Sequence, residues 1–391
     1  MEKYVHRILQ PNEVLKKNSF FLFGPRGTGK SFLLRKDLSD KVFSINLLDS
    51  SLYFQLQANP SLLKEIILAK KAKKVVIDEV QRLPELLNIV HLLIEEHQIR
   101  FVLTGSSARK LKSGGVNLLA GRALRRELFP LTWRELKQFD LNRYLKYGGL
   151  PMSYFSEEPE EFLDAYVNTY LKEEIQAEGL VKKIPAFSQF LQLAASTSGE
   201  LLNFTSISNE TGVSSKTIKE YYSILEDTLV GFMVEPWIKS IQRKPIQTGK
   251  FYFFDTGVKN TLTNTRDFSE KSDLWGKSFE HFIAMELRAY LSYQLKNKYR
   301  LQFWRSTSQF EVDFVIDNQV AIEVKATNKL KNENFKGLRA LIDENKFKKY
   351  YLISNDSNER IHANIICLPW KKFLADLWDG KIISAPQQPH R

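Results

Sequence analysis

Gly24-Pro25-Arg26-Gly27-Thr28-Gly29-Lys30-Ser31 is the stretch that most restricts what this chain can become. A continuous apolar run, Phe20-Phe21-Leu22-Phe23, precedes it, as a buried parallel strand requires. Phe32-Leu33-Leu34-Arg35-Lys36 follows and reads as the start of an amphipathic helix. Strand, glycine loop, Lys-Ser and helix, in that order, is the context of a phosphate-binding P-loop. Glycines let backbone N–H groups close around phosphate oxygens without Cβ clashes, and the helix N-terminus adds its positive end. Gly24, Pro25, Arg26, Gly27, Thr28, Gly29, Lys30, Ser31 and Phe32 are therefore the expected nucleotide-binding residues. Lys30 would act on the β- and γ-phosphates, and the Ser31 hydroxyl would ligate Mg²⁺. The implied cofactors are ATP and Mg²⁺.

Downstream, Lys73-Lys74-Val75-Val76-Ile77-Asp78-Glu79 is a buried strand ending in two acids, a Walker B pattern. Asp78 is placed to hold Mg²⁺, and Glu79 to polarise the attacking water as general base. Arg100-Phe101-Val102-Leu103-Thr104 reads as the next strand and runs into Gly105-Ser106-Ser107. A polar residue at its tip would lie between the Walker A and Walker B strands, near the γ-phosphate. Ser106 is the first candidate for that sensor role and Thr104 the second. The segment Leu119-Ala120-Gly121-Arg122-Ala123-Leu124-Arg125-Arg126 offers arginines for a finger inserted into a neighbouring subunit's site. Arg122 is preferred over Arg125 and Arg126; for each, a surface salt bridge is the alternative. The implied order of elements is that of an additional-strand P-loop ATPase rather than a kinase.

Length and composition bound the rest. A chain of 391 residues, 43% hydrophobic and 12% aromatic, is too long for one core and should hold several domains. Cys367 is the only cysteine and the six histidines lack metal-ligand spacing, so neither a disulfide framework nor a thiolate metal cluster is expected. No apolar run reaches membrane-spanning length and Met1-Glu2-Lys3-Tyr4-Val5 lacks a signal-type apolar region, which points to the cytoplasm and no membrane partner. Lys and Arg number 57 against 45 Asp and Glu, a net charge of +12 that suits a polyanionic partner, nucleic acid above all.

The order GPRGTGKS, VVIDEVQ, LTGSS, LAGRA and FPLTWREL resembles the AAA+ family of archaeal- and bacterial-type ATPases, in which the ATPase carries a C-terminal domain of unknown function. Tyr147-Gly148-Gly149-Leu150-Pro151 matches the family's Gly-Gly-X-Pro segment. The resemblance covers nearly the whole chain and implies a homo-oligomeric ring, as a hexamer. It also makes the helical stretch after residue 132 the place of the small lid.

From residue 186 the pattern changes. Phe187 to Ala195 reads as one helix, Phe204 to Val213 as a short second with Gly212 at its turn, and Ser214 caps a third. That is a helix-turn-helix, with Leu229–Val234 as a wing strand. Ser215, Lys216, Thr217 and Lys219 would touch DNA from the recognition helix, and Lys239, Arg243 and Lys244 would sit on phosphates. A winged-helix spacer that touches no nucleic acid is the alternative.

In the C-terminal part, Glu311-Val312-Asp313 and Glu323-Val324-Lys325 flank a turn at 317–319. If that turn is a three-residue loop, Ile316 pairs with Val320 and Asp313 lies opposite Glu323. Glu280, from an amphipathic helix, would approach them. Glu280, Asp313, Glu323 and Lys325 then form a Mg²⁺-binding, phosphodiester-cleaving constellation. The quartet resembles the PD-(D/E)XK nuclease fold, with Glu-Val-Asp in place of the Pro-Asp element. A hairpin with a solvated salt bridge, or a fold that grips DNA without cutting it, is the alternative.

The expected architecture is α/β: an AAA+ P-loop ATPase core (1–131), a helical lid (132–182), a winged helix-turn-helix (183–248), a nuclease-like α/β domain (249–383) and a flexible tail (384–391). The expected function is ATP hydrolysis coupled to binding and remodelling or translocation of DNA. Two rivals remain: a nucleotide-gated regulatory or defence switch with slow hydrolysis, and an ATP-regulated, Mg²⁺-dependent DNA endonuclease.

Overall fold

In the computed structural model the described residues are 4–38, 42–105, 107, 118–171, 184–265, 268–269 and 272–383. They fall into two units. The first holds the described residues up to Leu131 together with Tyr222–Val230; the second holds those of 132–171, 184–221 and 231–383.

The first unit is built on five strands: β1 (Ser19–Phe23), β2 (Phe43–Asn46), β3 (Lys74–Asp78), β4 (Arg100–Gly105) and β5 (Ala123–Glu127). All pair in parallel, in the order β2-β3-β4-β1-β5. Strand β1 is buried along its whole length, which is why its sequence is an unbroken apolar run instead of an alternating one. Phe21, Phe23, Val75, Ile77, Phe101 and Leu103 pack with the helices Leu62–Ala69 and Leu86–His97 to form the core. Ahead of β1, Pro11–Leu15 forms a short helix.

The second unit contains β6 (Gly231–Pro236), β7 (Lys250–Phe253), β8 (Leu301–Arg305), β9 (Glu311–Ile316), β10 (Val320–Lys325), β11 (Lys349–Ser354), β12 (Arg360–His362) and β13 (Ile365–Pro369). They make one mixed sheet in the order β12-β13-β11-β10-β9-β8-β6-β7. Three helices occupy the stretch expected as a helix-turn-helix: Ile184–Ser196, Phe204–Thr211 and Ser215–Asp227. Gly212 ends the second in the left-handed conformation at φ 67°, and Ser214 Oγ accepts from Thr217 N at 3.2 Å.

Two sequence expectations change here. The wing strand, β6, does not close a separate winged domain. It pairs antiparallel with β7 and parallel with β8, across the expected boundary at 248/249. Its alternating pattern is satisfied equally by a small wing or by a large sheet, and Phe232 and Val234 are buried in the latter. The segment expected as a lid groups with the second unit, where helix Leu141–Tyr147 packs on Thr256–Leu262. The reason is a buried carboxylate. Asp255 caps Thr256–Leu262 by accepting from Val258 N at 3.1 Å and accepts from Gly149 N at 2.7 Å. A Cβ at Gly148 (φ 77°) would lie 1.9 Å from Asp255 Oδ1, and one at Gly257 would lie 2.3 Å from the Tyr147 carbonyl oxygen. The Gly-Gly-X-Pro segment is therefore a structural clasp. The tail from 384 and all of 172–183 lie outside the described residues.

Glu286 is a second internal acid. It sits in the long helix Asp273–Tyr293 and accepts from Trp133 N at 2.7 Å and Trp378 Nε1 at 2.8 Å. Burial pushes its carboxyl up to about 8, against those two donors. The folded state thus holds a proton that the unfolded chain releases near 4.5, so this group's contribution to stability falls as pH rises from about 4.5 to about 8. The unfolding free energy of Glu286→Gln relative to wild type, from urea titrations, is expected to rise across that window by at most about 1.4 kcal/mol per pH unit. Parallel curves would show that the group is ionised throughout.

Candidate functional site: a phosphate loop with paired acids

The site lies at the C-terminal ends of β1, β3 and β4, where an open parallel sheet gathers its ligands. The loop after β1 needs its glycines. Gly27 and Gly29 take φ of 78° and 91°, and a Cβ at Gly24 would stand 2.5 Å from the Leu128 carbonyl oxygen. Thr28 Oγ1 donates to the Pro25 carbonyl at 2.8 Å and fixes the loop from within. The Lys30 ammonium is buried and donates to the carbonyls of Gly24 at 2.6 Å and Pro25 at 3.1 Å, so its charge lies inside the loop. Helix Lys30–Asp37 starts directly from Gly29. Phe32 is half-buried, with its ring 6.0 Å from that of Tyr4.

The acids meet the loop from the neighbouring strands. Ser31 Oγ donates to Asp78 Oδ2 at 2.9 Å. Thr104 Oγ1 donates to Asp78 Oδ1 and accepts from Glu79 N at 3.1 Å. Strand β4 does lie between β1 and β3, so the tip of that strand reaches the acids. Thr104, the second candidate there, is the residue found in contact; Ser106 lies outside the described residues. Glu79 adopts φ 60°, an unusual value for a residue with a Cβ, and its carboxylate accepts from Gln81 Nε2. Thr104→Val would leave both Asp78 Oδ1 and Glu79 N without this partner. Turnover is expected to fall by roughly tenfold, on the scale of one lost hydrogen bond to a charged group; steady-state phosphate release measures it.

Two residues in this region escaped the sequence reading. Arg7 reaches back from the N-terminal segment, donating to the Thr28 carbonyl at 2.9 Å and the Phe129 carbonyl at 2.6 Å. Gln81 holds Glu79. Nothing local in the sequence marks the first, while the second is adjacent to the Walker B acids and was readable as their neighbour. The arginines of 122–126 are engaged within the chain: Arg122 pairs with Glu95, Arg125 stacks 5.4 Å from the Phe23 ring, and Arg126 donates to the Arg125 carbonyl at 2.8 Å. Serine 31, Asp78, Glu79 and Thr104 come together; Arg122 does not join them.

The oxygen donors of Ser31 and Asp78 suit a hard cation such as Mg²⁺, and the loop's backbone suits a polyphosphate. The residues present therefore fit both groups.

The second unit carries its own charged site. Ile316 pairs with Val320 and Ile322 with Phe314, the register of a three-residue loop, so Asp313 and Glu323 come side by side. Lys325 Nζ lies 2.5 Å from Glu323 Oε1 and 3.9 Å from Asp313 Oδ2, and Val324 N donates to Asp313 Oδ2 at 2.7 Å. Glu280 Oε1 accepts from Tyr252 OH at 2.6 Å and lies 3.6 Å from Lys250 Nζ. Lys250 is buried and pairs with Glu311 at 2.6 Å. Burial raises the carboxyls of Glu280 and Glu323, with Asp313 adding to both; Asp313 and Glu323 hold the half-buried Lys325 ammonium charged. Lys250, Lys277, Glu280, Arg305 and Glu311 line a cavity of about 370 Å³. Among the described residues no group of three or more His, Cys, Asp or Glu side chains is placed to hold a metal ion. The register expectation is met, but a lysine sits between the carboxylates where the nuclease reading needs a cation.

On the helix Ser215–Asp227, Lys216 is exposed and Ser215 and Thr217 are partly so; Thr217 and Ser214 share a hydroxyl contact of 2.9 Å. Lys219 is exposed with its ammonium 5.2 Å from the Phe204 ring. Lys239 and Lys244 are exposed, whereas Arg243 is tied to Asp343 and the Ala340 carbonyl. No helix among the described residues is long and apolar enough to cross a membrane.

Comparison with known proteins adds the following. Residues 16–137 match the AAA domain family, while 138–269 and 275–373 match two domains of unknown function, DUF8612 and DUF4143. An uncharacterized protein of Mycobacterium tuberculosis is 28% identical over 323 residues, covering 78% of this chain and 70% of its own. An uncharacterized protein of Methanocaldococcus jannaschii is 23% identical over 420 residues, covering 92% and 85%. Among solved structures, the replication initiator DnaA bound to AMPPCP and single-stranded DNA is 13% identical with a TM-score of 0.29, covering 55% of this chain and 85% of that one. The matched segment 16–137 contains the loop, both Walker B acids and Thr104. Residues 16–137 are thus similar to the AAA domain family, and the candidate site lies inside that similarity.

Proposed function

We propose that this protein hydrolyses ATP with Mg²⁺ and uses the cycle to remodel or translocate DNA that its C-terminal half holds. The observation that carries the ATPase reading is the contact chain Ser31–Asp78–Thr104–Glu79, which draws the phosphate loop and both acids to one point. In this reading Gly24 to Phe32 enclose the triphosphate and Lys30 neutralises its developing charge. Ser31 and Asp78 would hold Mg²⁺, which would supply Lewis acidity at the phosphates. Glu79 would take the proton of the attacking water. Arg122 would leave Glu95 to act in a neighbouring subunit of a homo-oligomeric ring.

DNA enters through charge and shape: a net charge of +12 and a helix-turn-helix whose third helix exposes Lys216 and Lys219. We assign Glu280, Asp313, Glu323 and Lys325 to gripping rather than cutting, because each carboxylate pair is already bridged by an ammonium. The test is ATP-dependent separation of a forked duplex, followed on a gel. Strand separation by wild type that disappears in Glu79→Gln supports the reading. An unaltered duplex under every nucleotide condition overturns the motor, and cleaved products overturn the gripping role.

One observation favours a second reading, a slow nucleotide-gated switch. The Glu79 carboxylate is held by Gln81, so the base is restrained until that contact opens. Gln81→Ala would then accelerate basal turnover; unchanged or slower turnover removes this reading.

A further inference from the structure

The segment after β6, Trp237-Ile238-Lys239-Ser240-Ile241-Gln242-Arg243-Lys244, has no regular structure along most of its length but is held at every turn. Trp237 is buried, its ring 4.9 Å from that of Phe347 and its Nε1 donating to Asn318 Oδ1 at 3.2 Å. The Glu344 carboxylate, 5% exposed, accepts from Ser240 Oγ at 2.5 Å, Ile241 N at 2.7 Å, Gln242 N at 3.1 Å and Arg243 N at 3.2 Å. Successive backbone N–H groups wrapped on one acid make a rigid nest. Arg243 closes it, donating to the Ala340 carbonyl at 2.7 Å and Asp343 at 2.9 Å, with its guanidinium 5.3 Å from the Phe310 ring. Arg243 is a strut of this loop.

What the strut and nest present is unusual. Ile241 is 77% exposed, the most exposed large apolar side chain among the described residues, and Ile238 is 56% exposed. Around them Lys239, Lys244, Lys346, Lys348 and Lys349 are all exposed. The Trp237–Phe347 contact brings the last three alongside. The exposed acid in these two segments, Asp343, is paired with Arg243, and Glu344 is consumed by the nest. A fixed apolar tip on two joined segments that also expose five lysines matches a polyanion with apolar gaps between its charges.

We propose that this corner docks on duplex DNA, with Ile241 entering the minor groove as a wedge between base steps and the surrounding lysines on the flanking phosphates. This rests on the DNA reading above and adds the residue that deforms the duplex. One apolar side chain suffices to unstack a base step and kink DNA when cations hold the backbone on either side. An anionic bilayer shares part of this chemistry, but two isoleucines bury too little area to hold a protein on a membrane. A rigid nest is also what a wedge needs, since a floppy loop would yield before the stacked bases do.

The test measures binding of the full chain to a fluorescently labelled 20-bp duplex by anisotropy and bending by end-to-end energy transfer. Phosphatidylserine–phosphatidylcholine vesicles serve as the parallel arm. Ile241→Ala is expected to abolish the bend and weaken binding by roughly three- to tenfold, with the salt dependence unchanged. Lys239→Ala with Lys244→Ala is expected to lower the salt slope by about 2 while the bend persists at low salt. A bend and affinity unchanged in Ile241→Ala, with wild type still binding, overturns the wedge and leaves the DNA reading standing. Absence of wild-type binding to any duplex overturns both. Vesicle binding lost in Ile241→Ala, without duplex binding, gives the loop to a membrane and overturns the proposal.

Discussion

Glu79→Gln is expected to lower ATP turnover by roughly 10²–10⁴-fold while ATP still binds. The side chain keeps its size and its place beside Gln81, and the Ser31–Asp78–Thr104 contacts do not involve it. Only the capacity to take a proton is lost. Affinity for a fluorescent ATP analogue is therefore expected to stay within a few-fold of wild type, and phosphate release to collapse. Turnover within a few-fold of wild type would mean that another group activates water and that the Walker B reading of this acid is wrong.

Asp255→Ala is expected to be the most damaging single change in the second unit. The carboxylate is fully buried and satisfies Gly149 N and Val258 N together. Removing it strips a helix of its N-cap and leaves two enclosed N–H groups unpaired, a loss of about 2–4 kcal/mol. It also opens the space that Gly148 was kept small to leave. Asp255→Asn keeps an acceptor and is expected to cost about half as much. Urea unfolding followed by tryptophan fluorescence separates the two, and equal small losses would show that the clasp contributes little.

How much could be read from the sequence follows the range of each interaction. The phosphate loop was legible because its signal is local: glycines where φ must be positive, then Lys30 and Ser31 opening a helix. The β9–β10 register was legible because a three-residue loop at 317–319 fixes every pairing after it. The end of helix Phe204–Thr211 and the start of the next carried their own punctuation in Gly212 and Ser214. The fate of β6 was not legible, because Gly231–Pro236 records that it is a strand and not which strand it will join. The same limit applies to 132–171, whose helices are evident but whose partner is selected by Asp255, more than a hundred residues away in the chain for Gly149. Arg7, Glu286 and Glu344 are nodes of that kind: single side chains whose role exists only once distant backbone groups surround them. Arg243 was read as a phosphate-facing cation and is instead half-buried and tied to Asp343, since a basic residue in a loop looks alike whether it meets water or an acid of its own chain.

The proposal that the ATPase acts on DNA is tested most directly by steady-state ATP turnover of the full chain with Mg²⁺, with and without duplex, forked and single-stranded DNA. Turnover that rises several-fold with at least one of these DNAs, with no such rise in Glu79→Gln, is the result predicted. Turnover that is indifferent to every DNA would contradict it and leave a nucleotide switch.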